Sequence, residues 1–458
     1  MSKVDAGRGM TLPQARRDRM PVRALAAEIV AGPDLGKHHE GTDELTIGTA
    51  DGNDLVLSDR TVSGFHVRAS RGEGGIVLED RRSTNGTFVG DVRVERAIVP
   101  AGTRISIGES VALLKDAGDV EVELLEAEQL AGLRACSAPM RRLLAQIVKA
   151  ARSDVPVLVT GESGVGKELV ARALHELGPR KSGPFVTVDC ASLSPTLIAS
   201  ELFGHEKGSF TGADRRHVGA FERGNGGTIF LDEIGELPES LQPTLLGVLE
   251  RRRLRRVGGR DEIAFDARVL CATHRDLSAE VNRGRFRLDL FYRVAVVKLA
   301  VPALRDRPDD IPLLVRHFCE RAGRSGDPAV ERLFGGALMA AMQRHDWPGN
   351  VRELRNVVEA TIAMGEAPEL VARAATLSSP PPDGTGAPSP APASTPPAPS
   401  LVGLSYRDAR ATVLARFEVE FLRTLLERAG GNVAQAARDA DMDRSHLFEL
   451  LKRHNLKS

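Results

Sequence analysis

The spacing of apolar and polar residues changes along this chain, and each pattern predicts a different kind of fold. Between about residues 25 and 116, short alternating runs are separated by Gly, Asn, Asp and Ser turns. This pattern is typical of a small all-β sandwich. The predicted strands include Leu45–Ile47, Asp54–Leu57, His66–Ala69, Ile76–Glu79 and Arg104–Ile107. We therefore predict an all-β domain over residues 25–118, after a polar, Arg-rich arm at 1–24 that we expect to be disordered.

From about Gly132 onward, apolar strands alternate with helical stretches. The strand Pro156–Thr160 runs into a Gly-rich turn and then into a helix over Glu168–Leu177. Strands that alternate with helices predict an α/β domain with a parallel sheet. We place this domain at residues 129–375.

The last part of the chain contains a linker and a helical segment. Residues 378–400 contain nine of the 26 prolines amid Ala, Ser, Thr and Gly, a composition that cannot bury a core and favours extended polyproline II. We assign a linker to residues 376–402. Residues 403–458 have a helical pattern with a break at Gly430–Gly431, which predicts a small all-α domain.

Length and charge limit what this chain can be. Its 458 residues exceed the roughly 250–300 residues at which a single core stops growing, so several domains are expected. The 62 basic and 62 acidic residues balance, so any contact with nucleic acid must be local. The four cysteines form no CxxC pair, and we predict buried thiols rather than a zinc site. No stretch resembles a signal peptide or a membrane span, so we expect a cytoplasmic protein without a membrane partner.

A glycine-rich string lies between the predicted strand and helix of the α/β domain. Glycines let backbone N–H groups approach phosphates, the helix N-terminus adds positive potential, and Lys167 would reach the β and γ phosphates of ATP. Glu168 stands where such loops usually have the Ser or Thr that contacts Mg²⁺. The predicted nucleotide contacts are Gly161, Glu162, Ser163, Gly164, Val165, Gly166, Lys167 and Glu168.

An apolar strand about seventy residues later ends in two carboxylates, Asp232 and Glu233. In this position Asp232 would hold Mg²⁺ and Glu233 would polarise the attacking water. The alternative is a core strand that ends in a solvated acidic pair. The upstream phosphate loop favours catalysis, with ATP and Mg²⁺ as cofactors.

The segment Glu201–Ala213, with sequence ELFGHEKGSFTGA, gives the α/β domain a more specific resemblance. It resembles the GAFTGA insertion in the AAA+ domain of sigma-54-dependent enhancer-binding proteins, with Ser209 where Ala is usual. The resemblance implies that Phe210 and Thr211 contact sigma-54. Without its surrounding sequence, an ordinary Gly-bounded turn would be the preferred interpretation.

Three further motifs occur in the order of that family. Phe286–Arg293 is similar to the segment that supplies arginine fingers to a neighbouring subunit, which implies roles for Arg287 and Arg293 in a hexameric ring. Thr273 falls at sensor I, and Arg352, in the sequence WPGNVREL, falls at sensor II. His274 stands where the family usually has Asn. Asp189 stands where it often has the Asn that restrains the catalytic Glu.

The amino-terminal sandwich resembles a forkhead-associated (FHA) domain, a fold that binds phosphothreonine peptides. The resemblance rests on the segments Asn53–Asp59, Ser63–His66 and Ser83–Thr87. It implies that Ser63 and Thr84 donate to the phosphate, that Asn85 holds the peptide and that His66 braces the loops. Thr49 and Gly64 stand where such domains often have Arg. A scaffold or self-docking role is therefore the alternative.

The carboxy-terminal helices resemble the Fis-type helix-turn-helix of the same activators, which implies binding to enhancer DNA. The segment carries ten basic and eight acidic side chains, so on its own a three-helix protein-binding module would be an equal possibility. The candidate DNA contacts are Arg444, Ser445, His446, Glu449, Lys452 and Arg453.

Together these resemblances predict a multidomain chain: an all-β FHA sandwich, an α/β AAA+ P-loop ATPase with an α-helical lid, and an all-α helix-turn-helix. The function implied is sigma-54-dependent transcription activation, in which ATP hydrolysis remodels sigma-54 RNA polymerase at a promoter. An FHA-like module implies control by a phosphothreonine protein or a Ser/Thr kinase. The alternatives are a non-transcriptional AAA+ remodeller and a phosphopeptide- or DNA-binding adaptor with an inactive ATPase.

Overall fold

Two β-sheets packed face to face form the amino-terminal sandwich in the computed structural model of this chain. The structure describes residues 17–42, 44–72, 74–191, 194–324 and 326–365, together with Leu422, Val433 and Leu451. The six-stranded sheet has the order β2-β1-β11-β10-β7-β8 and the five-stranded sheet the order β4-β3-β5-β6-β9. The strands are β1 (Arg17–Ala31), β2 (His38–Gly41), β3 (Glu44–Gly48), β4 (Leu55–Val56), β5 (Val67–Gly72), β6 (Gly75–Asp80), β7 (Thr87–Val89), β8 (Val92–Val94), β9 (Arg96–Val99), β10 (Arg104–Ile107) and β11 (Ser110–Leu125).

The sandwich follows the alternation in its sequence. Every second residue of β3, β5 and β10 faces a shared apolar core, with Leu45, Ile47, Ala69 and Ile105 fully buried. The polar residues between them face outward, as period-two alternation requires. All five predicted strands lie at or within about two residues of an observed strand.

The amino-terminal strand is longer than the sequence suggested. We expected residues 1–24 to be disordered, but β1 begins at Arg17 and pairs antiparallel with β11, from Arg17 opposite Leu125 to Arg23 opposite Asp119. Arg19 and Glu121 form an exposed ion pair at 2.9 Å on this ribbon. The prediction was wrong over residues 17–24 because the strand that satisfies their backbone groups lies about a hundred residues away.

A parallel sheet with helices on both faces forms the α/β domain. Its strand order is β15-β16-β19-β14-β20, and an apolar cluster covers each face. Two hairpins accompany it, β12 (Gln129–Leu130) with β13 (Leu133–Arg134), and β17 (Arg253–Arg255) with β18 (Glu262–Ala264). The sheet strands are β14 (Val157–Thr160), β15 (Phe185–Asp189), β16 (Thr228–Asp232), β19 (Arg268–Thr273) and β20 (Val297–Ala300).

The helices of this domain are short and amphipathic. In α2, for example, Val170, Ala171 and Leu174 are fully buried against the sheet, while Glu168 and Arg172 are exposed, which is the pattern of a helix that covers a sheet. They are α1 (Ala138–Ala151), α2 (Lys167–Glu176), α3 (Pro195–Phe203), α4 (Ala220–Arg223), α5 (Gln242–Arg251), α6 (Leu277–Asn282) and α7 (Leu288–Val294).

Four further helices form a lid with its own apolar core. Trp347 is fully buried at its centre, and its Nε1 donates to the Met342 carbonyl at 2.7 Å. The pairing satisfies the only polar atom of that side chain. The lid helices are α8 (Asp310–Arg321), α9 (Pro328–Leu333), α10 (Gly336–Arg344) and α11 (Asn350–Met364).

The chain divides into two units, Met1–Pro380 and Pro381–Ser458. The predicted linker at 376–402 and helix-turn-helix at 403–458 lie outside the described residues, apart from Leu422, Val433 and Leu451, which are helical. Cys190, Cys271 and Cys319 are buried as predicted, whereas Cys136 is exposed. Across the described part of the chain, no helix is long and apolar enough to cross a membrane.

Candidate functional site

The glycine-rich loop connects the carboxyl end of β14 to the amino end of α2. Parallel α/β sheets usually bind ligands at this edge, where the carboxyl ends of the strands lie. Gly164 and Gly166 have φ values of 79° and 108°, a left-handed region that favours glycine. A Cβ on Gly164 would lie 2.4 Å from the Gly349 carbonyl oxygen, so the lid also requires glycine there. The loop backbone is therefore shaped to expose N–H groups ahead of a helix N-terminus.

Lys167 and Glu233 meet at the centre of this edge. Lys167 Nζ lies 3.2 Å from Glu233 Oε1 and donates to the carbonyls of Gly161 and Glu162 at 3.0 and 3.3 Å. Asp232, the last residue of β16, accepts from the Glu233 backbone N–H at 3.0 Å. The structure thus brings together the predicted phosphate-binding lysine and both predicted carboxylates.

The two carboxylates titrate in opposite directions. Burial, followed by the neighbouring charge of Glu233, raises the pKa of Asp232 above its ordinary value. Burial also acts to raise the pKa of Glu233, but hydrogen bonds from His274 and the charge of Lys167 outweigh it, so the pKa of Glu233 is lowered. Glu233 is therefore held ionised, as a group that polarises water requires.

His274 is the main partner of Glu233 besides Lys167. The backbone N–H of His274 donates to Glu233 Oε2 at 3.0 Å, and its ring Nδ1 lies 2.7 Å from the same oxygen. Asp189 ends β15 directly opposite Asp232 on β16, and its side chain accepts from Ala191 N–H. Of the two residues that depart from the family pattern, His274 is thus the one that binds the Glu233 carboxylate.

The lid closes over the glycine-rich loop through several polar contacts. Arg352, the predicted sensor II residue, donates from Nη1 to Ser163 Oγ at 3.1 Å. Asn350 donates to the Glu162 carboxylate and the Ser163 carbonyl at 3.0 and 3.1 Å, and Arg305 pairs with Glu162. The roles of Asn350 and Arg305 were missed, although Asn350 lies within the quoted WPGNVREL motif.

Two other predicted nucleotide contacts have defined places. Thr273 ends β19 beside the loop: it is fully buried, and its carbonyl accepts from Gly161 N–H at 3.3 Å. The side chain of Glu168 instead pairs with Arg172 at 2.7 Å one turn along α2. The carboxylate of Glu168 therefore does not take the place of the usual hydroxyl, and any contact from this residue would come from its backbone.

These side chains fit a nucleoside triphosphate with Mg²⁺. Lys167 is 7% exposed and its charge faces a carboxylate, a position that a phosphate could take. Within the described ranges, no group of three His, Cys, Asp or Glu side chains is arranged to hold a metal. Asp232 with phosphate oxygens would form the site, which is how Mg²⁺ is usually bound beside nucleotides.

The loop with the sequence GSFTGA projects between α3 and α4. At its base, His205 and His217 exchange backbone hydrogen bonds at 3.0 and 3.1 Å, and Arg256 binds both Glu206 and Glu222. The Phe210 ring packs edge-on against His205 with centroids 4.9 Å apart, while Thr211 is exposed. The loop is thus braced at its base and presents Thr211 to solvent.

The two predicted arginine fingers lie on and just before α7. Arg287 precedes the helix and pairs with Asp289 at 2.7 Å. Arg293 donates to the Leu249 carbonyl at 2.8 Å. In its own subunit each arginine therefore binds a partner away from the glycine-rich loop.

The predicted phosphopeptide residues come together at one end of the sandwich. Thr84 N–H donates to Ser63 Oγ at 3.0 Å, and Asn85 donates to the Thr61 carbonyl at 2.7 Å. His66 is fully buried; its Nδ1 accepts from Ser63 N–H and its Nε2 donates to the Gly86 carbonyl. His66 braces the loops as predicted. Thr84 and Asn85 are exposed.

The candidate DNA contacts lie outside the described residues. They are Arg444, Ser445, His446, Glu449, Lys452 and Arg453.

Family models match three consecutive parts of the chain. The sigma-54 interaction domain matches residues 133–300, the AAA+ ATPase lid domain residues 305–379 and the FHA domain residues 45–108. The sandwich is therefore an FHA domain, and the α/β domain with its lid is a sigma-54 interaction domain of the AAA+ class.

Comparisons with individual proteins agree with these family matches. The transcriptional regulatory protein ZraR of Escherichia coli K12 is 43% identical over 335 residues, which cover 73% of this chain and 71% of ZraR. The response regulator PilR of Pseudomonas aeruginosa is 52% identical over 231 residues, about half of each chain. The structure of NtrX from Brucella abortus in complex with ATP aligns with a TM-score of 0.50 at 33% identity over 72% of this chain and 70% of NtrX. This chain therefore belongs to the family of transcriptional regulators built on a sigma-54 interaction domain.

Proposed function

We propose that this protein hydrolyses ATP to remodel the closed complex of sigma-54 RNA polymerase, and so activates transcription from promoters near its enhancer sites. One observation carries the proposal: Lys167 and Glu233 meet at 3.2 Å on a domain that also presents a braced GSFTGA loop. The first feature supplies the chemistry of hydrolysis, and the second supplies a surface for the polymerase.

Each residue at the sheet edge has a distinct role in this proposal. Lys167 would leave Glu233 and neutralise the β and γ phosphates. Asp232 would hold Mg²⁺, whose charge would stabilise the negative phosphate oxygens. Glu233, freed from Lys167, would orient the attacking water. Arg352, already at Ser163 Oγ, would sense the γ phosphate from the lid.

The reaction would be completed by a second subunit. Arg287 and Arg293 bind Asp289 and the Leu249 carbonyl within their own chain. Guanidinium groups that stabilise phosphoryl transfer commonly come from a neighbouring molecule. A closed ring, which we propose to be a hexamer, would place each α7 beside the next subunit's glycine-rich loop.

Three substitutions separate the steps of this proposal. Lys167→Ala should abolish ATP binding, and Glu233→Gln should preserve binding but stop hydrolysis, because only Glu233 acts on water. Thr211→Ala should keep hydrolysis near normal and eliminate open complexes at a sigma-54 promoter. Nucleotide binding, phosphate release and permanganate footprinting of promoter DNA are the measurements.

Arg216→Ala is a matched control for Thr211→Ala, since Arg216 is exposed in the same loop and has no proposed contact with sigma-54. Its open-complex yield should match that of the unsubstituted protein. Normal turnover by Glu233→Gln would refute the catalytic assignment. Retained activation by Thr211→Ala would refute the contact assigned to Thr211. Absence of open complexes with the unsubstituted protein, despite ATP hydrolysis, would refute the transcriptional assignment and leave a non-transcriptional remodeller.

We further propose that the FHA domain reads phosphothreonine and places the activator under a Ser/Thr kinase. The support is the cluster of Ser63, Thr84 and Asn85 at one end of the sandwich, where Thr84 and Asn85 are exposed. A phosphothreonine peptide should bind more tightly than its unphosphorylated twin, and the double variant Ser63→Ala with Asn85→Ala should erase the difference. Calorimetry across a library of threonine-phosphorylated peptides is the test, and the absence of any phospho-dependent binder would leave this domain as a scaffold.

A further inference from the structure

The end of the sandwich that carries the predicted phosphopeptide residues is also the end that contacts the α/β domain. Phe65 is 3% exposed and belongs to the apolar core of the α/β domain. Its ring packs edge-on against Phe291 of α7, with centroids 5.1 Å apart. Close by, the Tyr292 hydroxyl accepts from Gly52 N–H at 3.4 Å. The contact is therefore a packed one between domains.

The Asn282 side chain at the end of α6 bridges two loops of the sandwich. Its Oδ1 accepts from Phe65 N–H at 3.3 Å. Its Nδ2 donates to the Phe65 carbonyl and, at 2.8 Å, to the Arg81 carbonyl. Arg81 also forms an ion pair with Asp276, the N-cap residue of α6. One amide thus ties together two segments that are separated by a β-hairpin, the recognition loops 61–66 and 81–86.

The recognition loops are the ones that carry the phosphopeptide residues. Ser63 lies two residues before Phe65 on the first loop, and Thr84 and Asn85 follow Arg81 on the second. The loops already touch through the bond from Thr84 N–H to Ser63 Oγ at 3.0 Å. Thr84 and Asn85 remain exposed, so the α/β domain binds these loops without covering the phosphopeptide residues on the second.

The glycine at position 64 fits this docking. A Cβ added to Gly64 would lie 3.7 Å from Asn282 Oδ1 and 3.7 Å from the Ala50 side chain. A methyl group there would be in ordinary contact with both domains, so position 64 lies where the sandwich meets the α/β domain. The residue that departs from the FHA pattern at this position therefore lies beside Asn282 of the α/β domain.

We propose that Asn282 is a positioning residue for phosphopeptide recognition: by bridging the recognition loops, the α/β domain sets the distance between Ser63 and Thr84. The inference rests on the proposed recognition of phosphothreonine. It adds that peptide binding is coupled to the docking of the FHA domain on the α/β domain. If docking favours the binding-competent loop arrangement, peptide binding must favour docking by the same factor. Because α7 follows α6 directly and carries Phe291 and Arg293, phosphopeptide occupancy would reach the segment of the proposed arginine fingers.

The test compares the full chain with Asn282→Ala, using a fluorescent phosphothreonine peptide chosen from a library and its unphosphorylated twin. Loss of the bridge should weaken phosphopeptide affinity about tenfold and leave affinity for the unphosphorylated twin unchanged. Ser278→Ala, one turn earlier on α6, is the matched control and should bind as the unsubstituted chain does. Asn282→Asp, which keeps an acceptor for Phe65 N–H but places a carboxylate against two carbonyls, should weaken binding at least as much.

Hydrogen exchange in the same proteins shows whether the bridge has been broken. The amide of Phe65 should exchange faster in Asn282→Ala, with the thermal unfolding midpoint and ATP binding unchanged. Weakened phosphopeptide binding together with that faster exchange supports the proposal. Unchanged affinity together with faster exchange overturns it, as does unchanged exchange at Phe65, because the bridge would then not hold the loop. If the unsubstituted chain shows no phospho-dependent binding, the phosphothreonine proposal itself fails and this inference falls with it.

Discussion

Glu233 is held by two partners, and both contacts lie at the proposed site of ATP hydrolysis. Lys167 takes one carboxylate oxygen at 3.2 Å, and the ring and backbone of His274 take the other. The lysine that would bind phosphate is thus neutralised by the carboxylate that would act on water. Sequence motifs singled out both residues as candidates for catalysis, but they could not show this pairing, because it depends on the side-chain conformation of Glu233.

We predict that His274→Ala tightens ATP binding, because the paired state competes with phosphate for Lys167. Charge-assisted hydrogen bonds contribute about 1.5–3 kcal/mol, and partial exposure of His274 reduces that contribution through solvent screening. The expected gain is therefore about three- to tenfold. Calorimetry with a non-hydrolysable ATP analogue measures it. His274→Asn, which keeps a side-chain donor, should stay near the original affinity, and an unchanged His274→Ala protein would contradict the argument.

His66 gives the sandwich a pH dependence of known sign. Burial lowers the pKa of His66 below its ordinary value, against a smaller opposing effect of the Gly86 carbonyl. The unfolded chain then binds a proton more readily than the folded one, so stability falls as pH drops below about 6.5. The neutral ring is needed because its Nδ1 accepts from Ser63 N–H.

We expect the sandwich to unfold at lower temperature at pH 5.5 than at pH 7.5, as followed by hydrogen exchange in β5 and β6. His66→Gln keeps an acceptor and a donor without a titrating group. This variant should lose less stability on acidification, even if it is less stable at pH 7.5. An equal loss in both proteins would show that groups other than His66 set the acid sensitivity of the sandwich.

Elements with strong local signals were predictable. The strands β10 and β14 and the helix α2 lie within about one residue of their predicted bounds, because alternation, a glycine turn and an amphipathic face each act over a few residues. The pairing of β1 with β11 could not be predicted, since the backbone partners of Arg17–Arg23 are residues 119–125, about a hundred residues away. The bridging role of Asn282 was likewise invisible, because a single Asn at the end of a short helix has no local signature of its partner.

If the arginines on and just before α7 act on the ATP of a neighbouring subunit, mixing two inactive variants should restore hydrolysis. Arg287→Ala and Arg293→Ala should each stop hydrolysis alone, because every subunit then lacks one of the two guanidinium groups that its neighbour would supply. Each should partly recover when mixed with Lys167→Ala, since the intact site and the intact finger then come from different chains. Phosphate release at equal total protein is the measurement. Arg253→Ala, an exposed arginine paired with Glu262, is the control, and full activity of Arg293→Ala would contradict the assignment.

The whole molecule combines a phosphopeptide-type domain, a nucleotide-binding domain with its lid and the proposed DNA-binding end. Sequence motifs identified the first two, since glycine loops and catalytic carboxylates have fixed spacing. The packing of Phe65 and Ala50 into the core of the α/β domain could not be predicted, because an interface between domains depends on surfaces assembled from distant segments. The FHA domain consequently packs against α7, which carries the predicted finger Arg293.

Removal of residues 401–458 should separate two activities of the whole molecule, because these residues would bind DNA and the AAA+ domain would remodel the polymerase. A chain that ends at residue 400 should lose enhancer affinity together with its salt-dependent component, since the counterions that basic side chains release on binding DNA would no longer contribute. The ten basic and eight acidic side chains of the segment predict a modest salt slope rather than a steep one. The double variant Arg444→Ala with Arg453→Ala is the matched control for loss of helices: it should weaken DNA binding and reduce the salt slope while the segment stays in place.

At high protein concentration the shortened chain should still form open complexes, because tethering raises only the local concentration of the ATPase near the promoter. Fluorescence anisotropy with an enhancer fragment at several salt concentrations, alongside open-complex yield, distinguishes the two activities. Unchanged DNA affinity in the shortened chain would refute the DNA-binding assignment, and loss of activation at every concentration would show that the segment also serves the remodelling step.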